Sequence, residues 1–432
     1  MESYYSNTYC DLAATASLGE SEGLSRCRDT DRVQHTEYAI PGSRSRRAGL
    51  YNVFDIILWE KELTQAPLHR QAWVLQERLL ARRVLHFGER QLMWEWHEHA
   101  AADIYSSGIK EVSPLVQRAH FKDLDYYPPW NRAELKTDDL RTVTLRIWER
   151  IVNQYSQCLL TYPSDRVKAL DGIARRFERM LDDECVFGMW KSDMARQFLW
   201  RVEGGGLYPP SNLLYTEQRW YAVPSWSWLA ADCAIDTGKP SEIRQMQSQD
   251  ILLEMVMPPA NLRGDAHRTL ILRCCPLAVT AILGHHGLWR VKEARADKDI
   301  RGHTRKVRRV LSSFIRVARG RPMQSDRQLM LSQGICIDRY ISEVNEVGDS
   351  IPLTCVPVRP YGEEDGSADV TEYLECLLLS LVVGKNDTFQ RVGIRTIDGH
   401  ENINHFLDSG WDGPTRTNRR THLVRCRSTF CK

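Results

Sequence analysis

The sequence predicts an α/β or α+β fold, with helices gathered in the middle of the chain and a β-rich second half. Three observations carry that expectation. Leu145, Trp148, Ile151, Val152 and Tyr155 recur at the spacing of one helix face. Leu92, Trp94 and Trp96 alternate with Gln91, Met93 and Glu95 after a Gly-containing turn, which is the period of a strand. Beyond about residue 220 the apolar runs shorten to strand length between turn residues.

Taken in order, residues 10–16 suit a short strand or a helix start, since periodicity does not separate the two. After Pro67, Ala72, Leu75 and Leu79 share a helix face with Trp73 and Leu80 at its flanks. Two alternating segments on either side of Gly88-Glu89-Arg90 then predict a β-hairpin. Helix and hairpin together predict one core containing Trp73, Leu79, Leu85 and Trp94.

Gly108, Pro114, Pro128 and Pro129 make residues 106–140 an irregular connection. After the helix around Trp148, Ser164 or Asp165 can cap a second one, whose buried face is Val167, Leu170, Ile173, Ala174 and Phe177. A third helical patch covers residues 188–200. Gly204-Gly205-Gly206 lacks the Lys-Ser/Thr pair of a phosphate loop and reads as a linker.

In the second half, residues 223–228, 269–274, 336–340, 374–383 and 389–397 read as strands, the last two joined by a Gly384-Lys385-Asn386-Asp387 turn. Residues 286–321 form a basic insertion that includes Arg301, Arg305, Lys306, Arg308, Arg309, Arg316, Arg319 and Arg321. Mutual repulsion of these charges predicts a poorly ordered excursion. The organisation expected is 1–105, a linker at 106–140, a helical segment at 141–205, a β-rich region at 215–400 and a tail at 401–432.

An apolar share of 42% with 13 tryptophans describes a packed globular protein. A net charge of +2 gives no general attraction to nucleic acid or anionic lipid. No apolar run approaches the roughly 20 residues that a membrane-spanning helix needs. The N-terminal residues lack the pattern of a secretory signal, and 12 scattered cysteines show no disulfide or zinc spacing, so reduced thiols and a cytoplasmic setting are expected.

Few residues carry chemistry by pattern. His97-Glu98-His99 with Asp103 has no further ligands at metal spacing and reads as a polar turn, so no metal is expected. Glu77, flanked by Arg78, Arg82 and Arg83, is the one acid–base candidate, and the competing reading is an internal contact to Arg83. Cys10 and Cys158 have no histidine partner by pattern, so neither stands out as a nucleophile. Trp226 and Trp228 alternate about Ser227, which on a strand puts both on one core-facing side. No cofactor pattern appears. The basic insertion would need interleaved aromatics to hold a nucleic-acid strand, and it has only Phe314.

Four segments resemble the fungal heterokaryon-incompatibility (HET) domain family. TYCDLAATAS, with the three residues before it, has the lead Tyr5, Ser6, Asn7, Thr8, Tyr9 and the run Ala13, Ala14, Thr15. In RQAWVLQERLLARRVLHFGERQLMWEW, the hallmark positions are Arg70, Trp73, Gln76, Glu77, Leu79, Leu80, Arg83, Leu85, Phe87, Gln91 and Trp94, with Trp96 where the family commonly has Cys. LTYPSDRVKALDGIARRF supplies Ser164 and Asp165, and VPSWSWLAADC supplies Pro224, Ser225, Trp226 and Trp228.

The resemblance begins partway through the domain, because the Leu-Ser-Tyr-Cys-Trp-Gly-like strand of the family has no counterpart here. It implies a partial HET domain in residues 1–105. It also implies a self/non-self recognition module linked to cell death, acting through protein partners and open to oligomer formation. The motif residues are then structural. The alternatives are an NAD-directed nucleosidase, expected to be inactive in this truncated form, and nucleic-acid binding through the basic insertion.

Overall fold

The computed structural model describes residues 2–19, 21–24, 26–27, 36–42, 47–53, 58–96, 100–106, 108, 137–203, 223–231, 233–237, 253–256, 270–274, 277–283, 289–293, 334–337, 346–364, 370–382, 388–399, 402–403 and 422–426. The fold is α+β with a β-rich C-terminal half. Two compact units divide the chain, Met1–Asp182 and Asp183–Lys432. That division falls inside the 141–205 stretch that the sequence pattern treats as one helical segment.

The first unit contains α1 (Glu2–Ser6), β1 (Asp11–Ala13), β2 (Thr36–Ile40), β3 (Gly49–Val53), α2 (Ala72–Leu80), β4 (Arg83–Phe87), β5 (Leu92–Trp96), β6 (Ala100–Ala102), α3 (Thr137–Ser156) and α4 (Lys168–Leu181). Its sheet has the order β1-β4-β5-β6, with β1 parallel to β4 and the other pairs antiparallel. Strands β2 and β3 form a separate pair. Residues 10–16, ambiguous by periodicity, thus contribute a strand.

Helix α3 buries all five of the residues whose spacing predicts it, Leu145, Trp148, Ile151, Val152 and Tyr155. Trp148 meets Phe177 of α4 with ring centroids 5.2 Å apart. Each such fully buried apolar side chain contributes about 1.5–3 kcal/mol relative to exposure. Helix α4 starts at Lys168 after a 3-10 turn at Pro163–Asp165, so Ser164 and Asp165 precede it without capping it. Asp165 instead takes the Lys168 ammonium at 3.4 Å.

The hairpin stands where the alternation places it, but with its faces exchanged. Met93 and Glu95 are buried, as are Val84 and His86 opposite them, while Leu85, Phe87, Leu92, Trp94 and Trp96 are half-buried on the other face. Leu79 is buried and Trp73 half-buried, so the expected core of Trp73, Leu79, Leu85 and Trp94 is corrected to one built on Leu79, Val84 and Met93. An interior face can carry Glu95 and His86 when internal hydrogen bonds offset their desolvation. Trp94 and Trp96 shield each other edge-on at 5.9 Å.

The second unit begins with β7 (Cys185–Val186), β8 (Met189–Trp190), α5 (Met194–Gln197), β9 (Arg201–Val202) and β10 (Ile235–Asp236). The helical patch expected at 188–200 reduces to a 3-10 turn at Lys191–Asp193 that runs into the single turn α5. Strands β11 (Glu254–Val256), β12 (Leu270–Cys274), β13 (Leu277–Leu283), β14 (Trp289–Glu293), β15 (Gly334–Ile337), β16 (Ser350–Glu364), β17 (Val370–Leu381), β18 (Thr388–Asp398) and β19 (His422–Cys426) form one mixed sheet. Its path is β11-β12-β19-β18-β17-β16-β13-β14, with β15 on β18.

The predicted 374–383 and 389–397 strands pair antiparallel as β17 and β18, Leu381 facing Phe389. Leu374 to Leu379 are buried on both faces of β17, which explains why the run is apolar except for Glu375, whose carboxylate pairs with Arg359. The expected tail at 401–432 supplies β19, hydrogen-bonded to β12 and β18. Arg301 to Arg321 of the basic insertion lie outside the described residues, as do Gly204–206 and the 384–387 turn; Trp289–Glu293 is a strand.

Segment 223–228 is not a strand. Pro224 to Ser227 form a turn that leads into a 3-10 turn at Trp228–Ala230, because the Ser227 hydroxyl accepts the Leu229 N–H at 3.0 Å and caps it. Among the described residues no helix is long and apolar enough to cross a membrane. Nine described cysteines are free thiols, and six of them are buried.

Candidate functional site

Between the motif positions of the first unit lies a buried polar cluster, of whose members only Thr15 is itself a motif position. Arg78 projects from α2 toward the sheet, where its Nε and Nη2 donate to Glu95 Oε2 at 2.8 Å and Oε1 at 2.9 Å. Such a two-pronged pair matches the planar guanidinium to the planar carboxylate. Glu95 Oε2 also receives His86 Nε2 at 3.2 Å, and His86 Nδ1 meets the Thr15 hydroxyl at 3.1 Å. His69 stands edge-on to His86 with centroids 5.1 Å apart. Arg78, His86, Glu95, Thr15 and His69 are all buried.

Gln76 ties two distant motif segments together. Its Oε1 accepts the Gly172 N–H at 2.6 Å across the α2–α4 contact. A β-carbon at Gly172 would stand 2.6 Å from that oxygen and 3.1 Å from Leu80 Cδ1, so the approach needs glycine. The Gln-Glu and Gly-Ile-Ala portions of the resemblance are therefore one packing unit.

Glu77 points away from this interior. Its Oε1 accepts the Tyr5 hydroxyl at 2.6 Å, in place of the Arg83 contact expected from the sequence. Arg83 lies over the Tyr9 ring at 4.9 Å. Partial burial raises the proton affinity of Glu77, and Asp11 adds to the rise, while the Tyr5 hydrogen bond opposes it. Burial and the Glu77 hydrogen bond also push the Tyr5 phenol upward.

A carboxyl group whose affinity is raised on folding binds more protons folded than unfolded. Its contribution falls as pH rises from the unfolded carboxylate range toward the folded value. Glu77→Gln keeps the acceptor for Tyr5 and removes that cost, so a small rise in thermal midpoint is expected at pH 7, disappearing near pH 4. Differential scanning fluorimetry at the two pH values checks this.

The remaining motif positions are placed as follows. Arg70 is exposed and Leu80 buried, and the buried Gln91 accepts the Ile104 N–H at 3.3 Å. Ser164 is exposed and Asp165 half-buried. His97, Glu98 and His99 lie outside the described residues, and Asp103 caps the Leu92 N–H at 2.7 Å. Burial pushes the Cys158 thiol up to about 12, which leaves it unreactive at neutral pH.

In the second unit, Pro224, Ser225, Trp226 and Trp228 are buried. Ser227 Oγ donates to the Phe187 carbonyl at 2.7 Å, and Trp228 Nε1 donates to the Gly188 carbonyl at 2.8 Å. Trp200 Nε1 reaches the Trp226 carbonyl at 3.0 Å, and the Arg391 guanidinium stacks on the Trp200 ring at 3.5 Å. Arg391 also donates to the carbonyls of Phe198 and Trp200. The polar handles of Ser227 and Trp228 are thus used internally in the second unit, while the Ser225 hydroxyl is buried without a partner among the described residues.

The turn beneath Trp228 is tight. Phe187 and Gly188 both have positive φ, 49° and 79°, as a two-residue hairpin turn between β7 and β8 requires. A β-carbon at Gly188 would lie 2.8 Å from the Trp228 ring. Gly188→Ala is therefore expected to cost more than the roughly 1 kcal/mol of a positive-φ glycine alone. Chemical denaturation followed by tryptophan fluorescence measures it.

Sequence reasoning finds Gln76, Glu77 and the tryptophans but misses Thr15, His69, Arg78, His86 and Glu95 as a group. The available signal is that His86 and Glu95 are in phase with Val84 and Met93, so either face of the hairpin satisfies the alternation. An arginine amid the leucines of α2 is the matching sign on the helix. Comparison with family models, with curated proteins and with solved structures finds no match to this chain.

Proposed function

We propose that this chain is a HET-type self/non-self recognition module that promotes cell death through protein interactions, in a cytoplasmic setting. The observation that carries the reading is the Gln76–Gly172 hydrogen bond at 2.6 Å. It joins two of the resembling segments across 96 residues, as expected if they belong to one packing arrangement. With Gln76 bonded to Gly172, and Arg78 and Glu95 between the hallmark positions bonded to each other, these side chains build a scaffold, and function falls to the surfaces that the scaffold presents. Inducible expression of the whole chain in a filamentous fungal host tests this. Growth arrest that persists in Glu77→Gln and is lost in a scaffold variant is expected. Normal growth at full expression, alone and beside an incompatible strain, contradicts the proposal.

A second reading is favoured by one observation, the Glu77–Tyr5 pair. A half-buried carboxyl with raised proton affinity and a phenol at 2.6 Å supplies an acid–base pair of the kind a nucleosidase acting on NAD uses. Release of nicotinamide by purified protein, abolished by Glu77→Ala, is the result that promotes it above the first.

A further inference from the structure

The segment that precedes α2 packs on the sheet of the first unit, with one buried imidazole, His69, edge-on to His86 of β4 at 5.1 Å. Trp59 and Leu63 pack in a cluster with Met93, Ala100 and Ala102. The Leu63 carbonyl meets His69 Nδ1 at 2.8 Å. A carbonyl only accepts, so Nδ1 carries the proton and Nε2 presents its lone pair. That Nε2 is buried with no hydrogen-bond partner among the described residues, although the ring is 4% exposed. Backbone bonds fasten the segment: Leu68 N–H to Thr15 O at 3.4 Å, and Leu159 N–H to Arg70 O at 2.6 Å.

The charged and titratable groups facing His69 come from every element packed around it. Arg78 faces it from α2, His86 from β4 and Glu95 from β5. The Cys158 thiol, just after α3, donates to the His69 carbonyl at 3.8 Å. Within its own segment, Glu62 turns instead to Arg90, 3.5 Å away. Arg78 and His86 oppose a positive charge at His69. Glu95 favours one, but both of its oxygens already serve Arg78.

We propose that His69 is a proton-operated catch: uptake of one proton at Nε2 releases residues 59–71 from the sheet, exposing Trp59 and Leu63 while α3 and α4 stay folded. Closed, the site has no acceptor among the described residues for a second imidazole proton. Opened, the ring reaches water and takes it. Burial, reinforced by Arg78 and His86, holds the proton affinity of His69 well below that of an exposed imidazole. A group with lower affinity closed than open favours the open form as pH falls. Below the ordinary imidazole value of about 6.5, each pH unit raises the open-to-closed ratio by up to about tenfold.

Hydrogen exchange of the intact chain between about pH 7.5 and about pH 5, corrected for the chemical rate, tests the catch. The His69→Asn variant keeps an amide donor near Nδ1 and has nothing to titrate. Protection of the Leu68 and Leu159 amides, whose bonds to Thr15 and Arg70 tie the segment down, is expected to fall in the wild type by up to about tenfold per pH unit relative to α4, and to stay flat in the variant. The same acid dependence in both proteins, or equal loss of protection in α4, overturns the proposal. Should the variant fail to fold, imidazole nitrogen spectra of the wild type decide instead. Release of the segment coinciding with Nε2 protonation supports the catch, and release while Nε2 is unprotonated overturns it.

Discussion

Glu95→Ala is expected to destabilise the first unit by about 3–5 kcal/mol, because it leaves the Arg78 guanidinium charged in the interior without its carboxylate. Arg78 and Glu95 are both buried, and the carboxylate accepts three hydrogen bonds, two from Arg78 and one from His86. The midpoint of chemical denaturation reads the loss. Replacing both partners together, Arg78→Met with Glu95→Leu, is expected to recover most of it, since a buried pair costs much of its attraction in desolvation. Equal losses in the single and double variants would mean that shape, and not charge pairing, dominates here.

Trp226→Ala is expected to cost the second unit about 3–5 kcal/mol, the range for truncating a fully buried aromatic. The Trp226 ring is 0% exposed and has edge contacts with Phe187 at 5.8 Å and Phe198 at 6.2 Å. Its truncation also loosens the backbone carbonyl that holds Trp200, over which Arg391 is stacked. A broadened transition with its midpoint at lower denaturant is the expected trace. A change under about 1 kcal/mol would mean that the surrounding side chains collapse into the space and that Trp226 does not hold this unit together.

How much of this was legible in the sequence depended on whether one pattern had one physical solution. The face of α3 is unambiguous, because only one side of a 3.6-residue period collects Leu145, Trp148, Ile151, Val152 and Tyr155, and all five are buried. The β17–β18 pair is equally clear, since two largely apolar runs of strand length flank a turn and both faces are buried, which leaves no face to misassign. The β4–β5 hairpin is located correctly, yet its phase follows from Arg78, which lies on another element and closes the ion pair with Glu95. The Ser-Trp-Ser-Trp alternation mimics a strand. The hydroxyl cap of Ser227 and the carbonyls of Phe187 and Gly188 turn it into a 3-10 entry, and those partners lie 40 residues upstream.

For the candidate site, Gln76 was visible by resemblance, but its partner Gly172 depends on the α2–α4 approach. Glu77 was visible as a carboxylate, whereas its bond to Tyr5 depends on where α1 sits. Pairwise bonds between sequence-distant groups, each worth about 1 kcal/mol net, are not encoded in local periodicity.

Scaffold and enzyme are separated most directly by following NAD content and growth in the same fungal cells while the wild-type chain, Glu77→Gln and Glu95→Ala are induced. The scaffold reading predicts arrest with NAD unchanged for the wild type and Glu77→Gln, and normal growth for Glu95→Ala. Depletion of NAD by the wild type that disappears in Glu77→Gln, together with the arrest, contradicts it.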